Sequence, residues 1–242
     1  MKFSTISNIG KVRRENQDYY GNLDLGNYSF FIVADGMGGY NGGEIASKLA
    51  AKYYLEYIKN SNITDFSSII DLQEEALQSA NDKIFSLSKS YEEYANMGTT
   101  AVCVCIDYEK KSYHITHIGD SRCYIYSDKK LQLITRDHSL VNDLIDSGSL
   151  TEDEAENFAN KSTITRAVGV GSKIRPDSRS LDMKDSDIML MVTDGLTNEV
   201  SDVEIEAIIA SNSTADKISS SLVDLAIKNG GHDNITVTTI LI

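Results

Sequence analysis

One proline and three cysteines in 242 residues exclude several designs at once. With a single proline there is no proline-rich linker between domains, no solenoid-type repeat is present, and the length suits one folding unit. Residues 1–242 are therefore expected to form a single domain. The cysteines are odd in number and lack a Cys-x-x-Cys pair, so neither a disulfide framework nor a zinc or dithiol redox motif is expected. Cys103 and Cys105 alternate along the strand-like "TAVCVCI" and should face one way into the core. Positive charge is scarce: 23 Lys and Arg against 36 Asp and Glu leave a formal charge of -13. That field repels nucleic acid and anionic membrane, so neither is expected as a partner. The plain reading of that charge is a solvated, soluble surface; the alternative is that some carboxylates are gathered to hold cations. Long hydrophobic runs are also missing. "MKFSTISNIGKVRREN" has no apolar stretch of about 7 to 15 residues, and no run reaches the roughly 18 of a membrane span. A cytoplasmic protein is expected.

What is present is a set of short apolar runs rich in Phe, Ile and Val, at 29–34, 99–106, 113–118, 123–126, 187–193 and in the terminal "NITVTTILI", all of which read as strands. Helical patterns fall between them in pairs. "GEIASKLAAKYYLEYIKN" is followed by a second pattern over about 66–89; residues 202–211 and 214–229 form another pair, the last stopping at Gly230-Gly231. Strands interrupted by helix pairs argue for layered α+β packing, a sheet sandwich covered by helices, rather than a doubly wound parallel sheet. The polar stretch 137–179 differs. It carries a short acidic helix opened by a capping box of Thr151 and Glu154, and reads as an insertion lying over the body.

"VADGMGGYNGGE", Val33 to Glu44, follows an apolar strand and packs five glycines into eight residues. It lacks the Gly-Lys-Ser/Thr ending of a P-loop, so a nucleotide-binding module is not expected. "VADG" recurs as "VTDG" at Val192 to Gly195. Either copy alone would mark a turn; two at strand ends suggest a shared purpose. Asp120, in "HIGDSRCYIY" at an expected hairpin, and Asp233, before the last strand, occupy similar places. If these ends converge, Asp35, Asp120, Asp194 and Asp233 meet. Four carboxylates cannot stay ionised in a small volume unless cations neutralise them. An all-oxygen set suits Mg²⁺ or Mn²⁺ rather than zinc. His232 reads as a loop residue rather than a ligand.

"RRENQD", "VADGMGG", "TTAVCV", "GDSRCYIY", "RDHS", "TITRAVG", "VTDGL" and "DNITV", in this order, resemble the metal-dependent protein phosphatases (the PPM or protein phosphatase 2C family) in their compact bacterial form. The resemblance spans nearly the whole chain. It implies a four-layer α-β-β-α sandwich of two antiparallel sheets flanked by helix pairs, with 137–179 as a flap beside the active site. It also implies hydrolysis of phosphoserine and phosphothreonine in proteins, with two Mn²⁺ or Mg²⁺ ions activating water and a third, weaker ion.

By the same resemblance Asp35 bridges both metals and Gly36 gives its carbonyl to one of them. Asp194 and Asp233 hold the second metal, Asp120 holds the third, and Asp18 hydrogen-bonds metal-bound water. Arg13, which read alone could equally be a surface cation beside Arg14, matches the arginine that binds substrate phosphate. Two departures stand out. Gln17 replaces a frequent glutamate, and Met37 stands where animal members have a proton-donating histidine. No phospho-enzyme is expected, and Cys123 sits in a strand. The implied partners are phosphorylated proteins, among them an opposing serine/threonine kinase, and the chain is expected to be a monomer. Rival readings are a phosphatase of an anti-sigma-antagonist type protein and a catalytically inactive metal-binding scaffold.

Overall fold

The computed structural model describes residues 2–39, 42–155, 158 and 163–242. In chain order these form β1 (Lys2–Asn8), β2 (Asp18–Asp24), β3 (Tyr28–Met37), α1 (Gly42–Asn60), α2 (Ile69–Ser90), β4 (Gly98–Thr99), β5 (Ala101–Asp107), β6 (Ser112–Ile118), β7 (Arg122–Ser127) and β8 (Lys130–Leu133). Then follow α3 (Leu140–Asp146), α4 (Glu152–Ala155), β9 (Asp177–Asp182), β10 (Ile188–Val192), α5 (Asp194–Thr197), α6 (Asp202–Ser211), α7 (Ala215–Asn229) and β11 (Ile235–Leu241). One sheet has the order β1-β11-β10-β7-β8, the other β2-β3-β5-β6-β9 with β4 pairing the end of β3. Neighbouring strands pair antiparallel.

The apolar runs exist because these strands are covered on both faces. In β3, Phe31 and Val33 enter the core between the sheets, with Val102, Val104, Ile115, Cys123, Met189 and Met191. The alternate residues Phe30 and Ile32 face α1 and α2 among Ala50, Tyr54, Leu72 and Leu77. Cys103 and Cys105 also point to this helix side, buried and unpaired, as their alternation requires. On the other flank Leu190, Val192, Ile235 and Val237 pack against Ile205, Ile218 and Leu222 of α6 and α7. Three apolar layers thus separate four layers of structure, the α-β-β-α order that the sequence implied.

Helix ends follow local chemistry. Ser201 and Glu204 close a capping box on α6, Thr214 caps α7, and Gly230 follows the last residue of α7. The expected box of Thr151 and Glu154 forms ahead of α4. No helix among the described residues is long and apolar enough to cross a membrane.

Two expectations change. Asp120 does not lie in a hairpin: β6 and β7 belong to opposite sheets, and residues 119–121 carry the chain across the sandwich. Both strands are apolar on two faces, so their sequence cannot say whether the turn joins neighbours or sheets. The insertion expected at 137–179 ends earlier, since β9 begins at Asp177 and pairs β6 from Asp177 to Asp182. Residues 156, 157 and 159–162 of that insertion, and Tyr40 and Asn41 of the glycine loop, lie outside the described residues.

Candidate metal centre

Antiparallel order places the end of one strand beside the start of its neighbour, and this gathers the acids. In the β3 sheet, Asp18 at the start of β2 is in register with Asp35 near the end of β3. In the other sheet, Asp120 precedes β7, Asp194 follows β10 and Asp233 precedes β11, all at one end of these strands. The two strand ends face each other. Asp18 is buried, and its Oδ2 accepts the hydroxyls of Thr193 at 2.9 Å and Thr236 at 2.6 Å from the opposite sheet.

Like charges directly opposite in a sheet repel, and here burial adds to the repulsion. Burial first, then Asp18 and Asp194, push the Asp35 carboxyl well above the ordinary range. Burial and the Asp194 charge raise Asp120 to about 7. Asp18 also rises, mainly by burial and against the two threonine bonds. Asp194 rises through burial and the Asp233 charge. One oxygen of each of Asp18, Asp120 and Asp194 is cut off from solvent without a protein partner. A buried acceptor without a donor is costly, and a hard divalent cation is what such oxygens suit. Among the described residues no three acidic, imidazole or thiol groups form a complete ligand set.

The glycines of the two echoing motifs answer one steric demand. A Cβ on Gly36 would lie 2.0 Å from the Gly43 carbonyl oxygen, and one on Gly195 would lie 2.0 Å from that of Asn234. Each acid is thus followed by a residue pressed against the backbone of another segment. Gly36 also donates its amide to Gln17 at 3.0 Å. The Gln17 side chain lies against Gly43. Met37 pairs Gly98, and its methyl packs over that residue.

Arg13 sits on the loop between β1 and β2. Its Nη2 donates to Asp233 Oδ2 at 2.6 Å while about half of the side chain stays exposed. The Asp233 hydrogen bond raises its pKa, with Asp35 and Asp194 adding to the field. His232 is turned away, Nδ1 2.6 Å from Glu199.

Four side chains that sequence reasoning passed over hold this arrangement. Asn234 accepts the Gln17 amide and donates to the carbonyls of Ile9 and Glu15, strapping down the Arg13 loop. Thr193 and Thr236 hold Asp18. Thr100 accepts the Asp35 amide at 2.9 Å. Asn234 and Thr193 lie inside quoted motifs, "DNITV" and "VTDG", but only a folded chain reveals what they touch. Beside the acids a cleft of about 500 Å³ opens between α5 and the insertion, lined by Asp120, Asp194, Arg122, Asp137, Asn142 and Asn198.

An α-β-β-α sandwich with an acidic seam at one end of its paired sheets is the architecture of a metal-dependent phosphatase. Residues 11–224 match the family described as Protein phosphatase 2C, and the chain belongs to that family. It is 37% identical over 242 residues to a protein phosphatase 2C-type protein of Streptococcus pyogenes serotype M6, covering 99% of this chain and 97% of that one. The Streptococcus agalactiae serine/threonine phosphatase superposes with a TM-score of 0.90 at 33% identity over 98% of each chain. The catalytic domain of the serine/threonine phosphatase PstP, in complex with two manganese ions, superposes with a TM-score of 0.83 at 27% identity, covering 100% and 98%.

Proposed function

We propose that this chain hydrolyses phosphoserine and phosphothreonine in proteins at a centre holding two Mn²⁺ or Mg²⁺ ions and a third, weaker one. The observation that carries this reading is the convergence of Asp18, Asp35, Asp120 and Asp194, all with raised pKa values, and the orphaned buried oxygen on each of Asp18, Asp120 and Asp194. Asp35 and the carbonyl of Gly36 would hold one ion, with Asp35 shared; Asp194 and Asp233 would complete the other; Asp120 would hold the third. When bound, such ions supply an activated water and neutralise charge on the phosphate. Asp18, fixed by two threonine hydroxyls, would orient water beside that pair. The relatives named as serine/threonine phosphatases support the substrate class.

Arg13 would exchange Asp233 for the phosphate, whose oxygens a guanidinium can take two at a time. Arg13→Ala should therefore raise KM about tenfold to a hundredfold, since a charge-assisted contact is worth roughly 1.5–3 kcal/mol. Lysine should rescue in part; an unchanged KM for both variants would return Arg13 to the surface. Met37 cannot give the departing oxygen a proton, and its packing over Gly98 supports a steric role. Met37→Ala should change aryl phosphate and phosphopeptide turnover by less than about tenfold, against the roughly 10²–10⁴ lost with a true general acid. Collapse of phosphopeptide turnover alone would mean that Met37 positions the real acid.

Asp120→Ala should remove the weakest Mn²⁺ site and lower turnover while leaving two tighter ions, as read by calorimetric titration. The same number and affinity of ions before and after would count against a third site there. All candidate ligands come from one chain, which fits a monomer. Three unpaired buried cysteines fit a reducing cytoplasm. The substrates would be phosphorylated proteins, including an opposing serine/threonine kinase, with the flap selecting among them. The test of the whole reading is turnover of a phosphothreonine peptide with Mn²⁺, abolished by chelator; no turnover with metal bound would overturn it.

A further inference from the structure

The stem of the flap meets the turn bearing Asp120 through one side chain. His138 is 3% exposed. Its main-chain amide donates to the Gly119 carbonyl at 2.9 Å, and its Nδ1 accepts the Gly119 amide at 3.1 Å. An accepting Nδ1 puts the imidazole proton on Nε2, which faces Asp177 Oδ2 at 3.3 Å. Arg166 Nη1 lies 3.2 Å from that nitrogen and donates to the other Asp177 oxygen at 2.9 Å. The His117 ring stacks on His138 with centroids 4.7 Å apart, its own Nε2 2.9 Å from the Arg136 carbonyl. An Nδ1 that accepts the Gly119 amide carries no proton, and burial, His117 and Arg166 hold the His138 pKa down against the pull of Asp177 in keeping with that geometry.

Gly119 has φ +104°, a region in which glycine is at home and its peptide is easily reoriented. Such a turn needs outside restraint. One restraint is Ser121, whose hydroxyl bonds Thr100 at 2.7 Å, the residue that also accepts the Asp35 amide. The other is His138. The flap stems close on each other through the Thr165 amide to the His138 carbonyl at 2.9 Å and the Ser139–Ile164 bridge.

We propose that His138 is a positioning residue for Asp120: its Nδ1, by holding the Gly119 amide, fixes the 119–121 turn and couples the flap stem to the third-metal carboxylate. The inference rests on the reading of Asp120 as a ligand. The test is calorimetric Mn²⁺ titration of the full chain and three variants. His138→Asn keeps an acceptor where Nδ1 was; His138→Gln places its polar atoms at Nε2 and leaves Gly119 without one. The Gln variant should weaken the third site by about 10- to 100-fold, the range for residues that orient a ligand, with the two tighter sites intact. The Asn variant should titrate close to the parent. If Asp120→Ala loses the third site while Gln titrates like the parent, or Asn weakens it as much as Gln, the role of His138 falls alone. Equal loss of all sites in both His138 variants assigns the residue to folding and also overturns it. If Asp120→Ala binds as many ions as tightly as the parent, the reading of Asp120 fails and the proposal with it.

Discussion

Replacing Asp35 by Asn should lower phosphopeptide turnover by several orders of magnitude, and Asp194→Asn should do the same, because each removes a charged ligand whose main partner is a cation. The two losses differ from general destabilisation in a measurable way. Asp35 faces Asp18 in register and feels Asp194, Asp120 and Asp233, so in chelator it is an ion without a partner or an acid forced to keep its proton. Removing its charge relieves that repulsion, the common exchange of function for stability at a working site. Metal-free Asp35→Asn should therefore melt at a higher temperature than the metal-free parent near pH 7.5, while binding fewer Mn²⁺ ions. Full activity with unchanged metal content would sink the dinuclear reading. A lower melting temperature would mean that the cluster is not strained.

Metal removal should destabilise the protein far more near pH 7.5 than near pH 5. The acids concerned have folded pKa values raised above the unfolded ones, so the folded state binds the extra protons. Their contribution is fully present below the unfolded pKa and is lost as pH climbs through the folded value. For Asp120 the window runs from 3.8 to about 7. At 1.36 kcal/mol per unit that is on the order of 4 kcal/mol, reduced by whatever solvent screening reaches the half-buried group. Asp18, Asp35 and Asp194 shift in the same direction. Elsewhere Asp177, with its pKa lowered against burial by bonds from His138 and Arg166, runs the other way, so the absolute melting curve mixes both signs. The difference between metal-loaded and metal-free protein isolates the cluster, because a bound cation takes the place of its protons. The Mn²⁺-induced rise in Tm should grow steadily from pH 5 to 7.5; an equal rise at both ends would show that these carboxylates do not carry the metal.

How much of this was legible in the chain depends on where each strand sits. The strands read from sequence, β3, β5, β6, β7, β10 and β11, are the interior strands of the two sheets. Covered on both faces, they must be apolar at consecutive positions, and a run such as "SFFIVA" declares them. β1, β2, β8 and β9 are the edges. Each has one neighbour and an open side, so its polar residues break the run and "DYYGNLD" or "DSRSLD" passes for loop. Helices were legible for a local reason: capping residues and glycine stops act within one turn, and α6 begins and ends where its sequence says.

The acids at strand ends were written in the sequence, as were the scarcity of cysteine and the lack of a P-loop lysine that turn the site toward oxygen-bound cations. Their meeting was not. Asp18 reaches Asp35 only through edge-strand register, and Asp120 reaches the seam only because residues 119–121 cross between sheets. Gly36 and Gly195 are required by the carbonyls of Gly43 and Asn234, contacts that no local pattern shows. The sequence determined which groups carry the chemistry, since composition and short motifs are local. Tertiary structure alone decided which groups touch, since contacts between residues as distant as Asp18 and Thr236 depend on the packing of two sheets that no local pattern records.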